Sequence, residues 1–245
     1  MKRRFLLLAG VLTAGSASAQ MPKIDDLMKE AGKLSKAPTA GPVGAGDDKT
    51  NVAGIKEALA VGTERAVASL GRQDGYFGNA AVKILMPSNI QKAADVARMA
   101  GYQKQVDEFI LSMNRAAEAA APLASRYFGD AIRAMSVNDV RGILTGGDTA
   151  ATEFFRVKTH DKLYAAFKPV VSQKVSQVGA TSAYKNMMGR YESVPMVRSQ
   201  SLDLDDYVTN KSLNGIFHMV GEEEKKIRTN PAARTTDLLK AVFGK

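Results

Sequence analysis

Cysteine is missing from all 245 residues. That excludes disulfides, thiolate metal ligands, thiol nucleophiles and lipid attachment through an N-terminal cysteine. Tryptophan is also absent, and aromatics make up only 7% of the chain. The two histidines, His160 and His218, are far apart and neither has a second histidine at ligand spacing. Asp161 is only the sequence neighbour of His160 and makes no relay. Gly146-Gly147-Asp148-Thr149 lacks the lysine of a phosphate loop. Asp203, Asp205 and Asp206 do not fit a calcium loop, because Tyr207 takes the next alternate place. No run of Lys and Arg interleaved with aromatics occurs, so nucleic acid is not an expected partner. Beyond the N-terminus no apolar run approaches the length of about 18 residues that a bilayer span requires, so no integral span is expected in the mature chain. These absences leave no expected cofactor, metal site or catalytic residue.

What is present begins with an address. Lys2, Arg3 and Arg4 precede an apolar run from Phe5 to Leu12. Ala17-Ser18-Ala19 then supplies small residues at a cleavage site. This is the three-part layout of a secretory signal peptide over residues 1–19. It predicts an exported protein, in the periplasm given the lack of disulfides, that starts at Gln20. Removing three basic residues from 34 leaves 31 against 25 acids, a net charge of +6. Such an excess suits a solvated surface, with peripheral contact to an anionic membrane as the sharper alternative.

The mature chain reads as helical. Residues 20–50 combine a short amphipathic segment (Ile24, Leu27, Met28, Ala31 and Leu34, within Pro22–Ser35) with a flexible linker rich in Pro, Gly and Ala. One all-α, bundle-like domain is predicted over residues 51–245, with at most one short extended segment near residues 80–86. Asn51 is the candidate N-cap of its first helix, which Gly71 ends, and Ser88 of the next. Tyr102, Val106, Phe109, Met113, Ala116, Ala120, Leu123 and Tyr127 alternate spacings of four and three, a heptad seam that Pro122 should kink or divide. Ser136 and Asp139 form a capping box. Asp148 or Thr149 opens a long helix in which Pro169 marks a bend. A further helical stretch holds Tyr184, Met187 and Met188, and Glu192 to Gln200 reads as a loop. Leu202 to Arg228 is helical, and Asn230-Pro231 opens the last helix, which carries Leu238, Leu239, Val242 and Phe243.

Several strings are more specific than the fold class. They are G-I-K-E-A-L (54–59), D-G-Y-F-G-N (74–79), M-N-R-A-A-E (113–118), A-A-T-E-F-F-R (150–156), D-Y-V-T (206–209) and the segment from Glu223 to Gly244. In this order behind a signal peptide they resemble an exported bacterial envelope family known as domain of unknown function 4197, over roughly Asn51 to Gly244. The resemblance implies an exported, mainly helical, single-domain protein and carries over no catalytic residue.

Three clusters stand out as candidate ligand or partner surfaces. Asn114 and Glu118 share a helix face, and Arg115 pairs with Glu118 at i,i+3 or offers itself to a small anion. Thr152 and Arg156 lie where free N–H groups at a helix start favour anions. Arg228, Asn230 and Arg234 gather at the last helix start. Against each stands a bland alternative of capping or helix–helix bridging. Glu222–Lys226 and Glu224–Arg228 read as i,i+4 pairs on a solvated helix. The expected function is a non-enzymatic exported binding or scaffold protein with an envelope protein or amphipathic ligand as partner. The alternatives are a carrier of an apolar or amphipathic ligand and a carboxylate-dependent envelope hydrolase using Glu118, Glu153 or Glu223.

Overall fold

The computed structural model describes residues 48–177, 203–237 and 240. The expected signal peptide, the 20–47 segment, the stretch around Tyr184, the expected loop over 192–200 and the apolar residues expected in the last helix lie outside them. Every regular element among the described residues is helical: α1 (Asp48–Gly71), α2 (Ser88–Met99), α3 (Gln103–Ala120), α4 (Ala124–Ala134), α5 (Val137–Thr145), α6 (Ala150–Gln177) and α7 (Leu204–Thr229). The chain is thus all-α here, and no helix among the described residues is long and apolar enough to cross a membrane.

Local chemistry sets the boundaries. Pro122 has no N–H to continue the helical ladder, and a 3₁₀ turn, Ala121–Leu123, divides α3 from α4. The turn shifts the seam: Leu123 is left 37% exposed, and Phe128 is buried one residue beyond Tyr127. The Ser136–Asp139 capping box forms as its spacing requires. Pro169 lies inside an unbroken α6. Residues 80–86 form no strand: a turn runs through residue 82, with Val82 N and Lys83 N donating to Asn79 O at 3.1 and 2.8 Å, and the rest is irregular.

Other starts differ from expectation. Asn51 lies within α1 rather than capping it. Pro87 occupies the cap position of α2 and accepts from Ile90 N through its carbonyl, so Ser88 is already helical. Asp203 caps α7 by accepting from Asp206 N at 2.9 Å. Asn230 does cap, accepting from Ala232 N at 3.0 Å, but the element it opens is one 3₁₀ turn, Pro231–Ala233. Residues 237 and 240 are helical again.

The core lies between α1, α3, α4, α6 and α7. Ala116, Ala117, Ala120 and Ala121 are fully buried, and their small side chains bring α3 close to α6. Phe128, Phe155 and Phe217 meet from α4, α6 and α7, with ring centroids 5.0 and 6.2 Å from Phe128. Burying each such ring is worth roughly 1.5–3 kcal/mol. The helix α2 packs on α3 through Ile90, Ala93, Ala94 and Ala97.

Candidate functional site

Glu118 is 4% exposed on the inner face of α3. Its Oε1 accepts from the backbone N–H groups of Tyr76 and Phe77, both at 3.1 Å. Its Oε2 takes Arg115 Nη1 at 2.6 Å, and Arg115 Nη2 reaches Asp74 at 2.7 Å. Asp74 sits in left-handed backbone at φ 62°, a conformation Asp tolerates better than most residues. The hydrogen bond from Glu118 comes first among the influences that raise the Arg115 pKa. Asn114, one turn back, is fully buried and reaches a different segment. Its Oδ1 accepts from Ile84 N, and its Nδ2 donates to the carbonyls of Ile84 and Ile110, all at 2.8 Å. One face of α3 thus holds both the 74–79 turn and the irregular segment around Ile84. The strings D-G-Y-F-G-N and M-N-R-A-A-E meet there.

The turn is also fastened to α7. The Tyr76 hydroxyl donates to Ser212 O at 2.7 Å from a fully buried ring. Burial, and secondarily the charge of Glu118, pushes its pKa far above the usual phenol range. The ring lies against Gly215, where a Cβ would come within 2.5 Å of Tyr76 Cε1.

A second carboxylate repeats the arrangement. Glu224 on α7 accepts from Ala151 N at 3.0 Å, Thr152 N at 2.9 Å and the Thr152 hydroxyl at 2.8 Å. The N–H groups at the start of α6 do take an anion, and the anion is this side chain. Arg228 backs it through Nε and Nη2 at 3.1 and 2.9 Å, and Nη2 also donates to Ile143 O at 2.8 Å. Helix α7 is therefore not a solvated acidic–basic face at this end. Glu223 and Glu224 are 8% and 7% exposed. Lys226 pairs with Glu223 at 2.7 Å, an i,i+3 pair in place of the expected Glu222–Lys226.

The remaining candidates are mostly engaged in structure. Arg156 pairs loosely with Glu153 at 3.6 Å and lies 4.6 Å above the Phe217 ring. Arg234 is buried and donates to the carbonyls of Ile227 and Arg228, closing the C-terminus of α7. Asn230 caps the short turn between them. Arg65 of α1 reaches over to Ala233 O and the Thr235 hydroxyl at 3.4 and 3.3 Å.

Sequence reasoning missed Tyr76 and Asp74, and read Glu224 only as the partner of Arg228 on a solvated helix. For Glu224 a signal existed: Phe217, Val220, Glu224 and Ile227 succeed one another at helical spacing, so the carboxylate falls on the apolar stripe. A further cluster went unseen. Tyr164 donates to Asp206 and accepts from Lys168 Nζ at 3.1 Å, while Lys168 lies 3.5 Å from Asp203. The Tyr164 bond raises the Lys168 pKa, and the Asp206 N–H lowers that of Asp203.

Beside Glu224 and Arg228 lies a cleft walled by Ile55, Ala58 and Gly62 of α1, Ile143 of α5, Phe155 of α6 and Ile227 of α7. It measures about 380 Å³ counted out into its open mouth, and its closed part has room for about one water molecule. Among the described residues no three His, Asp or Glu side chains converge as a metal-holding group.

No curated protein and no solved structure matches this chain. A family model does match, over residues 46–244, a span that takes in all seven described helices, and on that match the chain belongs to the family described as protein of unknown function, DUF4197.

Proposed function

We propose that this chain is a non-enzymatic, exported helical binding protein of the bacterial envelope. One observation carries the reading. The buried carboxylates, amide and guanidinium of these clusters are occupied by partners within the fold: Glu118 by two N–H groups and an arginine, Asn114 by three backbone groups, Glu224 by α6 and Arg228, and Arg234 by two carbonyls. A general acid or base must have reach to a substrate proton. Of the three carboxylates that a hydrolase reading would use, Glu118 is enclosed, Glu223 is tied to Lys226 and Glu153 faces solvent beside Arg156. The basic leader, apolar run and small-residue site support export.

The test is recovery of the chain from an exporting host, and then native mass spectrometry. Loss of residues 1–19, together with a stoichiometric protein or small molecule on the mature chain, is the expected result. A cytoplasmic, uncleaved chain overturns the address. Turnover of an envelope polymer by the folded protein, lost in Glu118→Gln, overturns the non-enzymatic reading.

A further inference from the structure

We infer that the Asp74–Gly75 step is a self-modification site, where the aspartate isomerises to isoaspartate, and that Arg115 keeps it latent. This site is independent of the binding reading and follows from the geometry of the 74–79 turn. Asp74-Gly75 is the one Asp-Gly step in the chain. Glycine has no side chain to shield its own N–H and leaves the backbone free to turn, so the nitrogen after an aspartate reaches the carboxyl carbon most readily when it belongs to glycine. The Asp74 side chain is 52% exposed, and its backbone is left-handed at φ 62°. Space also fixes the glycine. A Cβ on Gly75 would come within 2.5 Å of the Ser69 and Leu70 carbonyl oxygens. The fold therefore requires the residue that makes the step reactive.

The reaction needs only water. Gly75 N bonds to Cγ of the Asp74 carboxyl group, and the N–H proton leaves with the carboxyl OH as one water molecule. Water then adds at one of the two ring carbonyls. Addition at the former main-chain carbonyl breaks its bond to Gly75 N and leaves the chain running through Cγ. The product has the same atoms as the starting chain.

Two bonds occupy the reacting groups in the folded protein. Arg115 Nη2 takes Asp74 Oδ1 at 2.7 Å, and the same guanidinium is anchored on Glu118 through Nη1 at 2.6 Å. Gly75 N donates to Arg72 O at 3.0 Å, and a nitrogen in that bond keeps its proton. Ring closure thus waits on a local opening that breaks both. The product cannot rebuild the turn. Asp74 O accepts from Gly78 N at 2.9 Å, and after isomerisation that oxygen belongs to a free carboxylate. The main chain is also one carbon longer just before the Tyr76 and Phe77 N–H groups that meet Glu118. Isomerisation therefore unfastens the turn from α3.

The experiment incubates the folded mature chain at neutral pH and follows isoaspartate at residue 74 by peptide mapping with electron-transfer fragmentation. The same chain held unfolded in guanidinium chloride sets the unprotected rate. The folded wild type is expected to isomerise at least about tenfold more slowly than the unfolded chain. Arg115→Gln is expected to raise the folded rate about fivefold, the upper scale for a part-exposed ion pair. Arg115→Lys keeps the charge but not the two-armed fork, and its rate is expected between the two. Asn214 precedes Gly215 within α7, so its deamidation reports loss of that helix and is expected to stay unchanged in both variants. No isoaspartate at residue 74 in the unfolded chain overturns the site. A folded wild type as fast as the unfolded chain overturns its latency. Wild-type rates in both variants, or a rise at Asn214 in step with Asp74 in both, overturn the role of Arg115.

Discussion

Glu118 and Glu224 are the same device built twice, at different depths. Each is a buried carboxylate that accepts two backbone N–H groups from a distant segment and is backed by an arginine on its own helix. The backing differs. Arg115 is 30% exposed and shares itself with the exposed Asp74, whereas Arg228 is 14% exposed and is also fixed to a carbonyl of α5. Glu118 holds a turn, and Glu224 holds the start of a 28-residue helix. A carboxylate at a helix start gains from the aligned peptide dipoles as well as from its hydrogen bonds. Glu224 also takes more donors, the Thr152 hydroxyl and two nitrogens of Arg228 among them, so it is expected to contribute more than Glu118.

The largest test of that contrast is Glu224→Ala, which strands Arg228 and the α6 donors and is expected to cost about 3–5 kcal/mol, the range for breaking a buried pair. Chemical denaturation of the mature chain measures it. Glu118→Ala is expected to cost less, about 2–4 kcal/mol, because Arg115 retains Asp74 and water. Equal losses in the two variants erase the contrast. Hydrogen exchange resolves it by segment: the Tyr76 and Phe77 amides lose protection in Glu118→Ala, and the Ala151 and Thr152 amides in Glu224→Ala. Next in size is Asn114→Ala, at about 1–3 kcal/mol for buried partners left unpaired, read by faster exchange at the Ile84 amide.

These groups mark how far the sequence could be read. The seam of α3, the division at Pro122 and the Ser136 box depend on neighbours within a few residues, and all are legible. The Arg115–Glu118 and Glu224–Arg228 pairs are legible for the same reason. What they grip is not, because the acceptors meet backbone N–H groups some 41 to 73 residues away, and a backbone amide carries no side-chain signature. The exposure of Leu123 and the helical placement of Ser88 escape the sequence pattern for a related reason: one proline shifts each register. Of the candidate site residues, those read as polar positions on helix faces are engaged mainly in holding the fold, and the cleft residues are recognisable only as an apolar stripe.

The smallest expected effect lies at the exposed capping box. Ser136→Ala is expected to cost about 1 kcal/mol. The Ser136 hydroxyl, then its N–H, lowers the Asp139 pKa. A lowered folded pKa means the contribution is present above the ordinary carboxylate value and is lost as pH falls, so the gap between wild type and Ser136→Ala narrows below about pH 4. A gap that stays constant with pH removes that linkage.

The buried Tyr76 hydroxyl gives the molecule a built-in optical reporter. With no tryptophan and seven tyrosines, near-ultraviolet absorption belongs mainly to phenols. A raised folded pKa keeps Tyr76 protonated and its contribution to stability intact below the ordinary phenol value of about 10, and that contribution fades as pH rises beyond it. The Tyr76 phenolate emerges only when α7 lets go of the 74–79 turn, so a delayed absorbance step times the opening of the core without any added label.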